Sequence, residues 1–312
     1  MTIPDRRIIT DIDSSTPIGQ TLEKFGALLD EAFAFGTHVF CWCNDGSAGR
    51  REDEGQPMLL LRHFLELLDC LPHLIRLGIS DPCAPTLRAM FEAVIAVEYL
   101  VQPSEDKRGY AFLVCEVRRR LAVIDSVDLQ TEAGRQARET IRKDKFLGDY
   151  EHPQVDDLDA RRQPNLELLQ MVGFSEANQE FERLRKQKGR VPKWHEFYNG
   201  PRTLKQLSTA VGLAGWYEIH YRRWSGTVHA SHITEGRLIL AGGGPAYLAL
   251  RDPREAQMVV STALSLAFQV YSAALRVFAT SRLDDFQRWY AESMKVGYTA
   301  VSGERIIQVK GE

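Results

Sequence analysis

The sequence predicts an all-α fold, a single multi-helix domain of about nine helices. Apolar residues recur at three- and four-residue spacing along most of the 312 residues, which is the period of an amphipathic helix. The 13 prolines leave intervals long enough for helices between them. Thr16, Asp81 and Asp252 each precede a proline, an order that is typical of a helix start. A hydrophobic content of 44% supplies a core of ordinary size.

The helical period divides the chain into three parts. Residues 1–16 form a polar N-terminal arm, residues 17–298 form the helical domain, and residues 299–312 form a polar tail. Within the domain, the uncharged helix that contains Val259 is too apolar to be left in water. We therefore expect this helix near the centre of the domain.

Three segments depart from the helical period. The polar stretches 44–56 and 149–164 contain glycines or are bracketed by prolines, so they predict surface connections. Two short apolar runs within 237–250 flank a glycine-rich turn. This pattern allows a short β-hairpin between two helices.

Charge and cysteine content restrict the class of protein. The formal net charge of -3 excludes a protein-wide positive field for nucleic acid and leaves only a local basic patch. Five cysteines without a C-x-x-C pair, and an N-terminus without an apolar segment, predict a cytoplasmic protein. The uncharged stretch 259–275 is shorter than a bilayer span, so no membrane helix is expected.

The segment 216–230 carries the pattern most informative about function. Four polar residues there follow the α-helical period and fall on one face: Glu218, Arg222, Ser225 and His229. Glu218 and Arg222 are spaced for an ion pair, and Ser225 and His229 are spaced for a hydrogen bond. Tyr221 belongs to a neighbouring row that packs. The polar face can therefore carry proton chemistry.

A second charged pair, Arg88 and Glu92, lies in an otherwise apolar helix. Charges among so many apolar neighbours persist when they are paired, and the polar face of 216–230 is the expected partner. Two interpretations follow from the residues. One is a structural network between two core helices, and the other is a cleft in which an imidazole and a guanidinium face a phosphate.

These residues resemble a bacterial all-helical family known as domain of unknown function 5677. The resemblance rests on Arg88-x3-Glu92 and on Glu218-x2-Tyr221-Arg222-x2-Ser225-x2-Val228-His229-Ala230. It extends from about Leu59 to about Phe278. It implies an all-α fold and offers no specific chemistry.

The later segment also resembles the signature of HEPN ribonucleases and toxins, in which an Arg precedes a His by about four to six residues. The resemblance implies a homodimer, metal-independent cleavage of RNA by its own 2′-hydroxyl, and a role in bacterial stress or phage defence. It implies that His229 is the acid and base, Arg222 the stabiliser of phosphate charge and Ser225 an orienting group. Arg223 stands where these motifs usually carry Asn, Asp or His.

A basic stretch with aromatic neighbours follows in 183–198. Charge for phosphates and rings for bases are what single-stranded RNA requires, and the residues predicted to bind RNA are Arg183, Arg185, Lys186, Lys188, Arg190, Lys193 and Trp194. A solvated helix end is the alternative interpretation.

No metal or cofactor is predicted. His38, Cys41 and Cys43 have no evident fourth ligand, and the glycine run 242–244 lacks the Lys-Ser/Thr of a phosphate loop. The alternative to a ribonuclease is a non-catalytic helical interaction or sensor module. In that case the polar row is a buried network, and the tail 299–312 or the basic stretch engages a protein partner.

Overall fold

A computed structural model describes residues 12–47, 55–103, 107–149, 155–228, 238–241, 244–247 and 249–307. Its α-helices are α1 (Pro17–Gly46), α2 (Gln56–Arg76), α3 (Ala84–Val101), α4 (Arg108–Val127), α5 (Glu132–Arg142), α6 (Leu158–Leu168), α7 (Phe174–Lys188), α8 (Leu204–Ala210), α9 (Ala214–Trp216), α10 (Arg222–Val228), α11 (Ala256–Phe278), α12 (Leu283–Trp289) and α13 (Lys295–Ser302). Two short strands, β1 (Leu238–Ala241) and β2 (Gly244–Tyr247), pair antiparallel. The predicted all-helical class is confirmed.

The expected count of about nine helices is too low for the part of the chain that the structure describes. A π-helical turn, Tyr217–Tyr221, separates α9 from α10, and another, Tyr290–Met294, separates α12 from α13. Each π-helical turn shifts the apolar period by one residue, so the boundary between the two helices cannot be recognised from the sequence pattern. Helix α6 begins inside the stretch 149–164 that predicted a connection and continues to Leu168, and it buries no residue that would give an apolar period.

The chain clusters into two compact units. Unit 1 comprises residues 1–50, 57–102 and 205–312, and unit 2 comprises residues 51–56 and 103–204. The division of the chain at residues 16 and 298 stays a prediction.

Helix α11 is the most buried long helix of unit 1, as its apolar sequence predicts. It packs against α1 and α3, and Ala263, Leu264 and Ala267 are fully buried. By length and composition Pro253–Phe278 could cross a membrane, but 67% of its most apolar window is buried inside the structure, which is typical of a core helix. The burial of these apolar side chains contributes hydrophobic stabilisation to unit 1.

Tyr271 shows how closely α1 and α11 approach each other. Its ring is fully buried, and its hydroxyl donates a hydrogen bond to the carbonyl oxygen of Ala32 at 2.9 Å. A Cβ atom at Gly36 would lie only 2.2 Å from that hydroxyl. Glycine is therefore required at this point of α1.

Two of the three predicted helix starts are confirmed by their capping hydrogen bonds, whereas Asp81 lies within a 3₁₀ turn that has no side-chain cap. The Thr16 hydroxyl accepts from the backbone N–H of Gly19 at 3.1 Å. The Asp252 carboxylate accepts from the backbone N–H of Arg254 at 3.1 Å and begins the 3₁₀ turn before α11. Both side chains satisfy a backbone donor that the helix itself leaves unpaired.

The first part of the predicted tail is held against α11 by one side chain. The Gln257 amide donates to the carbonyl oxygens of Val301 and Glu304 at 3.2 and 2.9 Å. Its side-chain oxygen accepts from the backbone N–H of Ile306 at 2.7 Å. Buried Gln257 thus fixes the backbone that follows α13.

Unit 2 has its own core. Helix α4 packs against α7, and Val114, Val117 and Phe181 are among the buried residues. The 3₁₀ segment Trp194–Asn199 closes the cluster with Phe197. This segment ends the basic stretch that the sequence singled out.

Candidate functional site

The segment 216–228 is helical, but it is not one continuous α-helix. Within the π-helical turn, the backbone N–H of Arg222 bonds to the carbonyl oxygen of Tyr217, five residues earlier. The α-helical period holds from Arg222 onward, so Arg222 and Ser225 share a face of α10. Glu218 lies on the other side of the widened turn. Such turns often occur at functional sites.

The ion pair predicted between Glu218 and Arg222 is present, and it lies at the surface. The Arg222 Nη1 atom is 3.0 Å from a Glu218 carboxylate oxygen, and the Arg222 side chain is 70% exposed. Lys205 Nζ approaches the other carboxylate oxygen at 2.5 Å. Hydrogen bonds from Lys205 and then Arg222 lower the pKa of the Glu218 carboxyl. Sequence reasoning missed Lys205, which lies outside the helical pattern of 216–230.

Ser225 and His229 can be placed only in part. Ser225 is half-buried on α10. His229 lies outside the described residues, which stop at Val228 in this segment. The predicted hydrogen bond between Ser225 and His229 therefore stays a prediction.

Arg223 points to a different side of α10 from Arg222. Its guanidinium lies 3.3 Å from a Glu255 carboxylate oxygen. Arg223 and Glu255 also line a cleft of about 30 Å³ with Ser80 and Asp81. A cleft of that volume has room for a water molecule and not for a nucleotide.

The second predicted pair, Arg88 and Glu92, forms a three-membered network with Tyr221. Arg88 Nε lies 3.1 Å from the Glu92 carboxylate and 3.1 Å from the Tyr221 hydroxyl. The Tyr221 hydroxyl donates to Glu92 at 2.8 Å. Burial, together with the neighbouring Glu92, raises the pKa of Tyr221 to about 12. Tyr221 therefore stays protonated and holds the two charges together.

The predicted supporting residues thus separate into two groups. Arg88 and Glu92 meet Tyr221 in a half-buried network between α3 and the π-helical turn. Glu218 instead binds Lys205 and Arg222 at the surface. A single network that joins both helices was expected. The contacts of the described residues form two separate groups instead.

An aromatic stack also lies in this segment. The His220 ring lies between those of Trp216 and Trp224, with centroid distances of 4.9 and 5.5 Å. Desolvation, with a smaller contribution from Arg223, lowers the pKa of His220. The histidine is therefore a neutral packing residue at pH 7. Among the described residues, no group of three or more His, Cys, Asp or Glu side chains could hold a metal ion.

The basic stretch in unit 2 is largely paired with carboxylates of the same unit. Arg183 binds Glu180 at 2.6 Å, and Arg185 lies 3.8 Å from Glu182. Lys186 and Lys193 are exposed.

Glu196 accepts the other two cations of the stretch. Lys188 is in contact with this carboxylate, and Arg190 Nη2 lies 2.9 Å from it. Burial raises the pKa of the Glu196 carboxyl, but the hydrogen bonds from Lys188 and Arg190 lower it by more, so its pKa lies below the ordinary value. Aromatic residues flank Glu196 in the sequence, and these neighbours could have indicated that its side chain is buried.

The predicted aromatic partner of the stretch, Trp194, packs within unit 2. Its ring meets that of Phe112 edge-on, with 5.5 Å between centroids. The neighbouring His195 is buried, and its Nδ1 lies 2.6 Å from the carbonyl oxygen of Pro201. Both rings therefore contribute to local packing.

Comparison with known proteins gives one match. The model of a family of unknown function, DUF5677, matches residues 57–240, more than half of the chain. The matched range includes α3, the π-helical turn and α10. No curated protein and no solved structure matches the chain.

Proposed function

The chain belongs to the family of unknown function DUF5677, and we propose that it is a HEPN-like, metal-independent endoribonuclease. The observation that carries the proposal is the exposure of Arg222. Its side chain is 70% exposed at the surface of unit 1. A guanidinium in this position can approach an RNA phosphate, which a buried network would prevent.

The residues of this face have distinct roles in the proposed reaction. Arg222 binds the scissile phosphate and stabilises the negative charge that develops on it. Glu218 holds Arg222 and Lys205 beside each other through its two carboxylate oxygens. Ser225, on the same face of α10, orients the substrate or the imidazole.

His229 transfers the protons. His229 follows Arg222 by seven residues and Ser225 by four, which is the spacing of residues that share one α-helical face. The RNA 2′-hydroxyl attacks the phosphate as its proton leaves to an imidazole, and the 5′-oxygen of the next nucleotide departs as it gains a proton. The products are a 2′,3′-cyclic phosphate and a 5′-hydroxyl. In a homodimer, two facing copies of His229 supply the base and the acid. A role in bacterial stress or phage defence, in the cytoplasm, belongs to the same proposal.

The test is incubation of the purified protein with end-labelled single-stranded RNA in EDTA. We expect cleavage by the parent, and a loss of about a hundredfold or more for His229→Ala. Arg222→Lys keeps the charge and loses the planar fork, so the rate should fall by about tenfold or more. The matched control is Arg223→Lys, which changes the adjacent guanidinium on another side of α10. Its rate should stay within about twofold of the parent.

Two further measurements accompany this test. Light scattering should give twice the chain mass of 35.4 kDa. Arg222→Lys should melt like the parent, because exposed ion pairs add little stability. A parent that leaves RNA intact in EDTA, or a His229→Ala protein that cleaves as fast as the parent, contradicts the proposal.

A non-catalytic interaction or sensor module is the second candidate. The observation that favours it is the pairing of the basic stretch, where Glu180, Glu182 and Glu196 bind four of the six cations predicted to hold RNA. In this alternative the tail 299–312 or the basic stretch contacts a protein partner. A stable, correctly folded parent that neither cleaves nor binds RNA would favour it.

A further inference from the structure

A groove in unit 2 lies between two helices that the proposed function does not use. Its volume is about 300 Å³, within the range of small-molecule sites. Helix α4 contributes four lining residues, Arg119, Arg120, Val123 and Ile124. Helix α6 contributes Arg161 and Asn165, one turn apart. The groove is therefore built from two regular elements of one unit.

The charge of this groove is one-sided. Three arginines line it, and no carboxylate is among its described lining residues. Arg119 is paired with Glu116 at 2.6 Å. Arg120 and Arg161 are exposed and form no ion pair with a described residue.

The neighbouring carboxylates are already occupied. Arg162, which follows Arg161 in α6, lies 3.2 Å from Asp125, 2.6 Å from Asp128 and 2.5 Å from Asp159. One guanidinium thus binds an acidic group of α4, one of α6 and one of the turn between α4 and α5. The positive charge of Arg120 and Arg161 remains available to an anion from solution.

The floor of the groove is apolar. The Val123 side chain is 59% exposed, and Ile124 beside it is half-buried. A ligand that covers this floor gains hydrophobic stabilisation as well as ion pairs. The Asn165 amide N–H donates to the carbonyl oxygen of Arg161 at 2.8 Å. Its side-chain oxygen is then the acceptor that it can offer to a ligand.

We propose that this groove binds a free nucleoside phosphate. The guanidiniums of Arg120 and Arg161 bind the phosphate oxygens, each with a planar pair of N–H donors. The base covers the apolar floor at Val123, and an exocyclic amino group donates to Asn165. Inorganic phosphate would satisfy the arginines and leave the floor uncovered. The groove is built from residues of unit 2 and the face of Arg222 from residues of unit 1, so binding to the groove is tested without reference to RNA cleavage.

The experiment is isothermal titration calorimetry of the full chain with ATP at low ionic strength. We expect saturable binding that weakens as salt is added, because the contacts are ionic. Adenosine and inorganic triphosphate should each bind about tenfold or more weaker than ATP, since each lacks one half of the interaction. No ATP binding by the parent at about 1 mM overturns the proposal. Triphosphate that binds as tightly as ATP also overturns it, because the floor then plays no part.

Variants assign the binding to this groove. Arg120→Gln and Arg161→Gln should each weaken ATP binding by about tenfold. Two variants are used so that the test remains possible when one of them does not fold. The matched control is Arg142→Gln, an exposed arginine of α5 outside the groove. It removes the same charge from the same unit and should bind ATP like the parent. Equal affinity in all three variants and the parent places any binding elsewhere and overturns the proposal.

A last titration tests whether the ligand of the groove is a free nucleotide or a nucleotide within RNA. A short single-stranded oligouridylate is titrated into the parent and into Arg161→Gln. We expect it to bind more weakly than ATP. If it binds more tightly than ATP and loses that affinity in Arg161→Gln, the groove is an RNA site, and the proposal of a free nucleotide is wrong.

Discussion

Two basic regions of unit 2 differ in how many of their positive charges are paired with carboxylates. The stretch 183–193 contains six cations in eleven residues, and the groove between α4 and α6 contains three arginines, two adjacent in α4 and one in α6. Yet carboxylates of the same unit pair with four cations of the stretch, whereas two arginines of the groove have no ion pair among the described residues. The density of positive charge in a sequence is therefore a poor guide to the charge that a ligand can use.

The difference comes from where the fold places the acidic residues. Glu196 has a fully buried side chain, and a buried carboxylate is costly unless cations pair with it. Lys188 and Arg190 are the cations that pair with it. Beside the groove, three carboxylates pair with Arg162, which follows Arg161 in α6, and none of them pairs with Arg161. The comparison can be tested by removing the partners one at a time.

The largest expected effect is that of Glu196→Ala. The substitution removes the buried partner of Lys188 and Arg190 and leaves a cavity, so the free energy of unfolding should fall by about 3 kcal/mol. Urea denaturation measures it. Glu176→Ala is the control, because Glu176 is 56% exposed and pairs only at the surface with Lys107. It should cost less than about 1 kcal/mol. Equal losses in the two variants would contradict the distinction between buried and exposed pairs.

A second effect, of intermediate size, is a dependence on acid. The pKa of Glu196 in the folded protein lies below its ordinary value of 4.5. Its contribution is therefore fully present above that value and is lost as the pH falls through the lower, folded pKa. The parent should lose stability more steeply than Glu196→Gln as the pH falls below about 4.5. Unfolding free energies of both proteins between pH 7 and the acid range measure this, and parallel curves would exclude the role of Glu196.

The smallest effect separates the two regions directly. Arg190→Gln removes one partner of the buried Glu196 and should cost about 1 kcal/mol of unfolding free energy. Arg161→Gln removes an exposed guanidinium without an ion pair among the described residues, and its cost should stay within about 0.5 kcal/mol. Thermal melting of the two variants beside the parent measures the difference. A larger loss for Arg161→Gln than for Arg190→Gln would reverse the comparison.

The fold class could be predicted because it depends on local patterns. The apolar period identified most long helices, and the capping residues Thr16 and Asp252 marked two starts. The uncharged stretch 259–275, which makes up most of α11, predicted the burial of that helix. These features are set by neighbours within a few residues along the chain.

The site could be predicted only in part, because its contacts join distant residues. The pair of Arg88 and Glu92 follows from a spacing of four residues, and both were expected to have a partner in 216–230. That Tyr221 would be this partner, while Glu218 turns to Lys205, depends on the packing of separate helices. No spacing rule carries such information. The pairing of Glu196 with the basic stretch could not be predicted from spacing either. These residues are close in the sequence, but they pair because the fold buries the turn that carries Glu196.

The π-helical turn Tyr217–Tyr221 has a consequence for how this segment tolerates change in length. It accommodates one residue more than an α-helical turn would hold. Deletion of a single residue there would restore a regular helix and rotate everything before it by about 100° relative to everything after it. Tyr221 and Arg222 would then no longer face the Glu92 and Glu218 carboxylates at the same time. Two separate groups of contacts in unit 1 therefore depend on the geometry of the same turn, and an insertion or deletion there disturbs both together.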